Sequence, residues 1–372
     1  PDRISQKSST NDFSPSYFPD SPSFKGMVVR ARSVASGKLP SVIVSKVFFV
    51  TPEGWNRYNL PVASIIMSEL ELFEYLRGIK TAGRRFDIWR QNNPDVNPPP
   101  IAKANYGARG RLWERPAQVD FFDMSSQSFI LSAQLGVRIH GASSRRFAKK
   151  SFRLYARNTY GLDQIGYPFF GDATGNTFER LDLRKGGSDE QTTNMRDAFI
   201  HKIAEPSRAI TSPSSPFYVF INGEFYGLYN LREYFDDTYF ELNFGIDGEN
   251  LDLIKGVDEI ESGSMDRYLE VFDLCMTSDF SETENMEDFY HVVEEESYID
   301  VFAIQMFASN NDMLPKNTIW WRHKGDSSED DRFHSILIDL DKSWGSPLAS
   351  ETSSPTYDMV ERFLGETIPE DL

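Results

Sequence analysis

The residues best suited to do chemistry stand in two short stretches between Ala308 and Gly345. The first is Asn310-Asn311-Asp312-Met313-Leu314-Pro315-Lys316-Asn317, and the second is Ile336-Leu337-Ile338-Asp339-Leu340-Asp341-Lys342-Ser343-Trp344-Gly345. Asp312 and Asn317 are five apart, and Asp339 or Asp341 closes an apolar, strand-like run just before a glycine. Phosphoryl transfer needs such parts: one carboxylate near the attacking hydroxyl, with an amide and a second carboxylate on magnesium. Taken singly the pieces are weak, because an Asp at a strand end is usually a turn residue. Their order says more: apolar helix, Asp…Asn loop, strand pair, Asp-Leu-Asp, glycine.

A cationic stretch lies upstream. Arg138-Ile139-His140-Gly141-Ala142-Ser143-Ser144-Arg145 precedes Lys149-Lys150-Ser151-Phe152-Arg153-Leu154-Tyr155. The second part alternates as a strand, with Lys150, Phe152 and Leu154 on one side and Lys149, Ser151 and Arg153 on the other. Two readings stand side by side. The cations form a solvated edge that discourages sheet-to-sheet pairing, or they clamp a triphosphate. The small-residue turn 141–144 offers backbone N–H groups to an anion. It is no Walker loop, because no Gly-Lys-Ser/Thr follows it.

The rest of the chain must position these groups. Its 372 residues suffice for one large or two ordinary domains, and 40% hydrophobic with 14% aromatic content supports a core. Lys and Arg number 39 against 56 Asp and Glu, a net of −17, which disfavours nucleic-acid binding. Cys275 is the single cysteine, so no internal disulfide forms. No apolar run approaches the length of a membrane span, and no charged-then-apolar signal segment opens the sequence. Its abrupt start reads as a fragment of a longer protein. The five histidines lack paired ligand spacing for zinc. No Gly-x-Ser-x-Gly elbow occurs, and no motif supports a glycosidase carboxylate pair.

In chain order, residues 1 to about 24 read as loop. Met27–Val34 and Val42–Val50 read as two strands joined by the turn Gly37–Ser41. Leu60–Met67 reads as a buried strand and Ser68–Leu76 as a short helix. A loop-rich region around Asn97-Pro98-Pro99-Pro100 follows. Val119–Phe122, Phe129–His140 and Phe178–Arg184 have strand character. Asn194–Ala204 reads as a helix with Met195, Phe199 and Ile203 on its apolar stripe and an Asn or Thr cap. Pro216–Glu233 is the clearest hairpin, turning at Asn222-Gly223. Helical patterns dominate from Asp236. One stripe is Met265, Tyr268, Leu269, Phe272 and Cys275, with Cys275 read as core; another is Ile299, Phe302 and Met306. Thr318–Trp321 and Phe333–Ile338 form a strand pair around the polar turn Asp326–Asp331. Asp258 to Asp300 holds fifteen acidic residues and one Arg, a solvated face that also attracts basic peptides.

Together these residues resemble the CotH kinase family, the spore-coat CotH proteins and their bacterial relatives. The resemblance spans about Leu60 to Gly345. It rests on Leu60-Pro61-Val62, Trp113-Glu114-Arg115-Pro116, Gly136-Val137-Arg138-Ile139-His140-Gly141 and Lys149-Lys150-Ser151-Phe152-Arg153-Leu154. It continues through Leu183-Arg184-Lys185-Gly186-Gly187-Ser188-Asp189, Met195-Arg196-Asp197, the hairpin 222–233, and Asp339-Leu340-Asp341 with Gly345. The Asp312-to-Asn317 spacing is also that of a protein-kinase catalytic loop.

The resemblance implies an α+β class and a two-lobed, atypical protein-kinase-like fold. Its β-rich N-lobe covers about 58–232 and its helical C-lobe about 233–372. A short β segment, residues 1–52, precedes it and resembles the end of a fibronectin-III or chitobiase-like sandwich. Carried over residue by residue, Asp312 takes the catalytic place, and Asn317 with Asp339 or Asp341 the metal places. Lys149 or Lys150 takes the phosphate-binding lysine. Arg138 and Arg145 lie in the family's glycine/serine block, and Glu233 sits at the hinge place. There is no Gly-x-Gly-x-x-Gly lid, and the helix at 194–204 supplies Arg196 and Asp197 rather than a central glutamate. The implied cofactors are ATP and Mg2+ or Mn2+. The implied partner is a protein, basic or Ser-rich, outside or at the surface of a bacterial cell. AMP transfer, glutamylation and a non-catalytic adhesion or carbohydrate-associated module are the alternatives.

Overall fold

The computed structural model describes residues 24–96, 103–171, 175–190, 192–310, 312–313, 317–324 and 331–345. Several sequence expectations lie outside these: the loop before residue 24, Asn97–Pro100, Asn311, Leu314 to Lys316, most of the Asp326–Asp331 turn, and everything after Gly345. The chain divides into two compact units. The first takes residues up to Phe169 with Asn176–Gly187 and Ser215–Arg232; the second takes Phe170–Gly175, Ser188–Ser214 and Glu233 onward. Helices and strands are both well represented, as the α+β class requires.

The first unit contains β1 (Met27–Ala31), β2 (Val44–Phe48), β3 (Val62–Ile66), α1 (Glu69–Phe73), α2 (Gly83–Asn92), β4 (Arg115–Asp123), β5 (Ser128–His140), β6 (Ser151–Tyr155), β7 (Ile165–Gly166), β8 (Thr177–Phe178), β9 (Arg180–Arg184), β10 (Ser214–Ile221) and β11 (Glu224–Glu233). β1 and β2 make the expected hairpin. Seven strands close a barrel in the order β10-β11-β9-β6-β5-β4-β3. Parallel pairing of β10 with β3, from Tyr218↔Val62 to Ile221↔Ile65, shuts it, and closure removes exposed sheet edges.

Register explains why β5, β6 and β9 lie together. It aligns Val137 with Leu154 and Leu181, and Ile139 with Phe152 and Leu183, in two apolar rows. All six side chains are buried. Because side chains alternate along a strand, the opposite face aligns Arg138, Arg153 and Asp182. The same alternation that builds the core therefore also collects the cations.

The β10–β11 turn has φ of 51° at Asn222 and 81° at Gly223, the pair of positive values that a tight Asn-Gly hairpin turn needs. Asn222 Oδ1 accepts from Met67 N at 2.9 Å, and Gly26 N donates to Gly223 O at 2.7 Å. A Cβ on Gly223 would collide with the Gly26 carbonyl.

The second unit contains α3 (Arg196–Ala204), α4 (Asp237–Phe244), β12 (Leu251–Lys255), β13 (Glu259–Ser262), α5 (Asp266–Thr277), α6 (Thr283–Val292), α7 (Glu295–Phe307), β14 (Ile319–His323) and β15 (His334–Ile336). The strands form one sheet, β13-β12-β14-β15. β14 and β15 are the expected pair. β12 and β13 correct the expectation of helix after Asp236. β12 escaped notice because Asp252 interrupts its apolar run; it is buried, and its carboxylate accepts from Arg322 at 2.7 Å and Lys324 at 3.0 Å.

One helix buries a face other than the expected one, and two bury only part of the expected stripe, Met265 and Tyr268 at α5 and Phe302 on α7. On α3, Met195, Phe199 and Ile203 are 55%, 48% and 47% exposed, whereas Asp197, Ile200, His201 and Ala204 are buried. On α5, Tyr268 and Val271 are buried, with Met265 and Leu274 packed beside them. Cys275 is exposed, which corrects its reading as core. On α7 the buried residues are Ser297, Val301 and Gln305, while Ile299 and Met306 are exposed. At the start of α3, Thr193 Oγ1 accepts from Met195 N at 3.3 Å, in line with the expected Thr, but a second acceptor joins it. Asp189, nearly fully buried, accepts from Met195 N at 3.0 Å and Arg196 N at 3.1 Å.

Replacing Gly223 with alanine should lower stability by at least about 1–2 kcal/mol, the cost of the left-handed conformation alone. A urea unfolding midpoint unchanged from wild type would contradict this account of the turn.

Candidate functional site

In the second unit the two candidate stretches meet. α7 delivers Gln305, whose Oε1 accepts from Asn310 Nδ2 at 2.7 Å. Asn310 Nδ2 also donates to Asp339 O at 3.0 Å, and Gln305 Nε2 to Ile338 O at 3.4 Å. Both side chains are almost wholly buried, so these bonds form where water does not compete. Met313 packs with Leu337 and Leu340 in the same apolar cluster as Ile200 and Val301. The Asp312 loop is thus fastened to the Asp-Leu-Asp segment by both polar and apolar contacts.

Asp312 itself stays accessible, with 40% of its side chain exposed. Asn317 Nδ2 donates to Asp312 O at 2.6 Å and to Asp312 Oδ2 at 3.2 Å. Lys342 Nζ lies 2.8 Å from the same Oδ2. The two residues noted for their five-residue spacing are therefore in direct contact.

Asp339 and Asp341 differ from each other. Asp341 is 5% exposed and its Oδ2 accepts from Ser188 N at 2.8 Å. Asp339 has φ of 52°. That left-handed residue ends the strand-like run before Asp341, because the turn breaks the two-residue alternation of side chains. Leu340 N, between them, donates to Asp197 Oδ1 at 2.7 Å. Asp197, Ser188, Asn310 and Lys342 are site neighbours that sequence reasoning left without a role. Ser188 and Asp197 fall inside blocks that carried the resemblance, and Asn310 and Lys342 inside the two stretches singled out first.

The donors available are carboxylate and amide oxygens, a match to a hard cation such as magnesium. Among the described residues no group of three or more His, Cys, Asp or Glu side chains is arranged to hold a metal. One or two carboxylates suit an ion that keeps waters and shares phosphate oxygens, so the residues present fit magnesium in that form.

In the first unit, Arg153 grips Asp182 with two bonds, Nε to Oδ1 at 2.6 Å and Nη2 to Oδ2 at 2.8 Å. His140 Nδ1 sits 2.9 Å from Arg153 Nη2. Burial pushes the His140 imidazole down to about 3, assisted by Arg153, Arg184 and Arg145. The Asp182 carboxyl lies below its ordinary range: burial opposes this, but the charge and hydrogen bonds of Arg153, with Arg184 beyond, outweigh it. Arg138 stacks over Tyr155 at 4.3 Å. This face gathers arginines around one carboxylate in a chain whose net charge is −17.

The lysine and arginine candidates separate by what they touch. Lys150 is wholly buried, its Nζ donating to Arg145 O at 2.6 Å and Phe147 O at 2.7 Å over the Tyr106 ring. Arg145, also buried, bonds the Gly141 carbonyl and, at 2.9 Å, the Ala108 carbonyl. Both brace the turn 141–148 from within. Lys149 is half-buried, and its Nζ lies 3.2 Å from where a Gly227 Cβ would stand.

Glu233, 7% exposed, begins the last segment of the second unit. Burial drives its carboxyl up to about 8, with Asp236 adding repulsion against a weak opposing bond from Asn243. The group is therefore a protonated acid near neutrality.

A closed barrel bearing a row of cations, and a second unit whose Asp312–Asn317 loop is locked to an Asp-Leu-Asp segment, make up an α+β protein. Residues 137–364 match the family model described as CotH kinase protein. The match covers more than half of the chain, so the chain belongs to the CotH kinase family. Every candidate site residue falls within it, while Leu60–Val62 and Trp113–Pro116 lie upstream. No curated protein matches the chain.

Two outcomes follow. Asp182→Ala leaves Arg153 buried without its carboxylate and should cost about 3–5 kcal/mol, read as a large fall in denaturation midpoint. For Glu233, the folded state holds a proton that the unfolded state releases above about 4.5. Its contribution is complete below that value and fades as pH rises through about 8. Glu233→Gln should therefore gain stability relative to wild type between pH 5 and pH 8.5 in melting experiments, and a constant difference across that range would refute it.

Proposed function

We propose that the protein is an ATP- and divalent-metal-dependent protein kinase that transfers the γ-phosphoryl group to Ser or Thr hydroxyls. The observation that carries this reading is the Asp312 carboxylate, 40% exposed yet fixed at one oxygen by Asn317 and Lys342. An accessible, oriented carboxylate beside a second acidic segment is what a hydroxyl acceptor requires.

In the transfer, the acceptor oxygen forms a bond to the γ-phosphorus as the bond to the ADP oxygen breaks. ADP leaves, and Asp312 receives the hydroxyl proton late in the step. Asn317, donating to Asp312 Oδ2, keeps the carboxylate turned for that role. Asp339, Asp341 and Asn317 would hold the divalent ion, which when bound offsets triphosphate charge. Lys149 and Arg138 are assigned to the phosphates, with Lys150 and Arg145 shaping the turn that presents backbone N–H groups. Glu233, protonated near neutral pH, is assigned to the nucleobase as a hydrogen-bond donor.

The acidic run from Asp258 to Asp300 supports a basic or Ser-rich protein substrate, by long-range attraction. Among the described residues no helix is long and apolar enough to cross a membrane. A site of action outside the cell or at its surface, with residues 1–52 as the end of a sandwich module, completes the proposal.

The test uses ATP labelled separately at the α and γ positions, with Mg2+ or Mn2+ and a basic, serine-rich acceptor peptide. Only γ label should reach protein, and Asp312→Asn should lower transfer about 100-fold or more while nucleotide binding by calorimetry persists. Retention of the α label would instead establish AMP transfer. Absence of both label and binding heat would leave the non-catalytic module.

A further inference from the structure

Lys342 belongs to the segment that carries the candidate metal carboxylates, yet its ammonium reaches the other stretch, 2.8 Å from Asp312 Oδ2. Its neighbours on both sides are fixed. Leu340 N is bound to Asp197 at 2.7 Å and Asp341 Oδ2 to Ser188 N at 2.8 Å. Ser343 is fully buried, and Trp344 N donates to Ala308 O at 2.8 Å. Between these anchors Lys342 is 27% exposed. A long, flexible side chain thus springs from a backbone with little freedom, and its tip lands on the one accessible carboxylate of the Asp312 loop.

We propose that Lys342 is the positioning residue for Asp312, coupling the orientation of the base to the placement of the Asp339–Asp341 segment. Lys342 and Asn317 both donate to Oδ2. Two donors on one oxygen fix the carboxylate plane and turn Oδ1 toward the acceptor hydroxyl. Asp341 is peptide-bonded to Lys342, so a shift of the metal-side carboxylate moves the cation on the base with it. The route begins at α3, through Asp197 and Leu340. This inference rests on the kinase reading and adds to it a residue that neither the Asp-to-Asn spacing nor the Asp-Leu-Asp motif singles out.

A purely structural ion pair would behave differently. Partly exposed pairs contribute little to stability, so loss of Lys342 should leave folding almost unchanged. Misplacing a reacting group costs rate, up to about 100-fold for roughly an ångström.

The experiment compares wild type, Lys342→Ala and Lys342→Arg in γ-phosphoryl transfer, with melting temperatures alongside. The alanine variant should lose about 10- to 100-fold in kcat, with its KM for ATP and its melting temperature close to wild type. Arginine should restore most of the rate. An unchanged kcat in the alanine variant would overturn the proposal. So would a raised KM for ATP at constant kcat, which would make Lys342 a nucleotide contact, or a melting collapse that arginine fails to repair.

A second measurement needs no nucleotide. Acetylation of Lys342 by a small amine-reactive reagent, followed by peptide mass spectrometry, should be faster in Asp312→Asn than in wild type. Equal rates would show that the pairing is not formed, again overturning the proposal. If wild type transfers no γ label but the acetylation difference is present, the kinase reading fails while the pair stands. An active wild type with an indifferent Lys342 sinks this inference alone.

Discussion

The second unit depends on a buried amide chain. Gln305 and Asn310 hydrogen-bond each other, and through Asn310 the end of α7 holds the backbone of Asp339. A buried amide left without partners costs more than the bond itself contributes. Gln305 and Asn310 therefore force the Asp312 loop and the Asp-Leu-Asp segment to stay together or lose both. Everything assigned to this unit's chemistry, from the Asn317 contact to the reach of Lys342, is drawn on that fixed frame.

The first unit meets a different constraint, the cost of burying charge. Arg153 and Asp182 offset each other through two short bonds, and His140 adapts by remaining neutral. Breaking such a pair is expensive even where forming it gains little. Arg145 and Lys150 follow the same logic with carbonyl oxygens in place of carboxylates. Their buried cations are compensated by carbonyls of the turn and, for Arg145, of Ala108, whereas Lys149 and Arg138 keep side chains only partly covered. Cations adjacent in sequence thus take different duties according to the face they occupy.

The helices show where reading by periodicity goes astray. On α3 the apolar stripe chosen from sequence is exposed, on α7 only Phe302 of it packs inward, and the buried faces carry Asp197, His201, Ser297 and Gln305. Each of these makes an internal hydrogen bond: Asp197 to Leu340 N, His201 to Ser212 N, Ser297 to Ser335 N, Gln305 to Asn310. A periodicity rule scores polar residues as outward, and here the site needs them inward. The strand β12 is hidden for a related reason, since Asp252 looks like a surface residue until Arg322 and Lys324 close on it. The hairpin at Asn222-Gly223 was legible because its signal is local, two residues able to adopt positive φ.

The amino-acid order by itself determined the α+β class, the hairpins, the family resemblance and the Asp312-to-Asn317 spacing, because these rest on short-range stereochemistry or on motifs a few residues long. Only the tertiary structure decided which of two adjacent lysines braces a turn, that Asp339 turns left-handed, and that Lys342 meets Asp312 across thirty positions of chain. Those outcomes depend on which buried polar groups find partners, a condition satisfied between distant segments and invisible in any one of them.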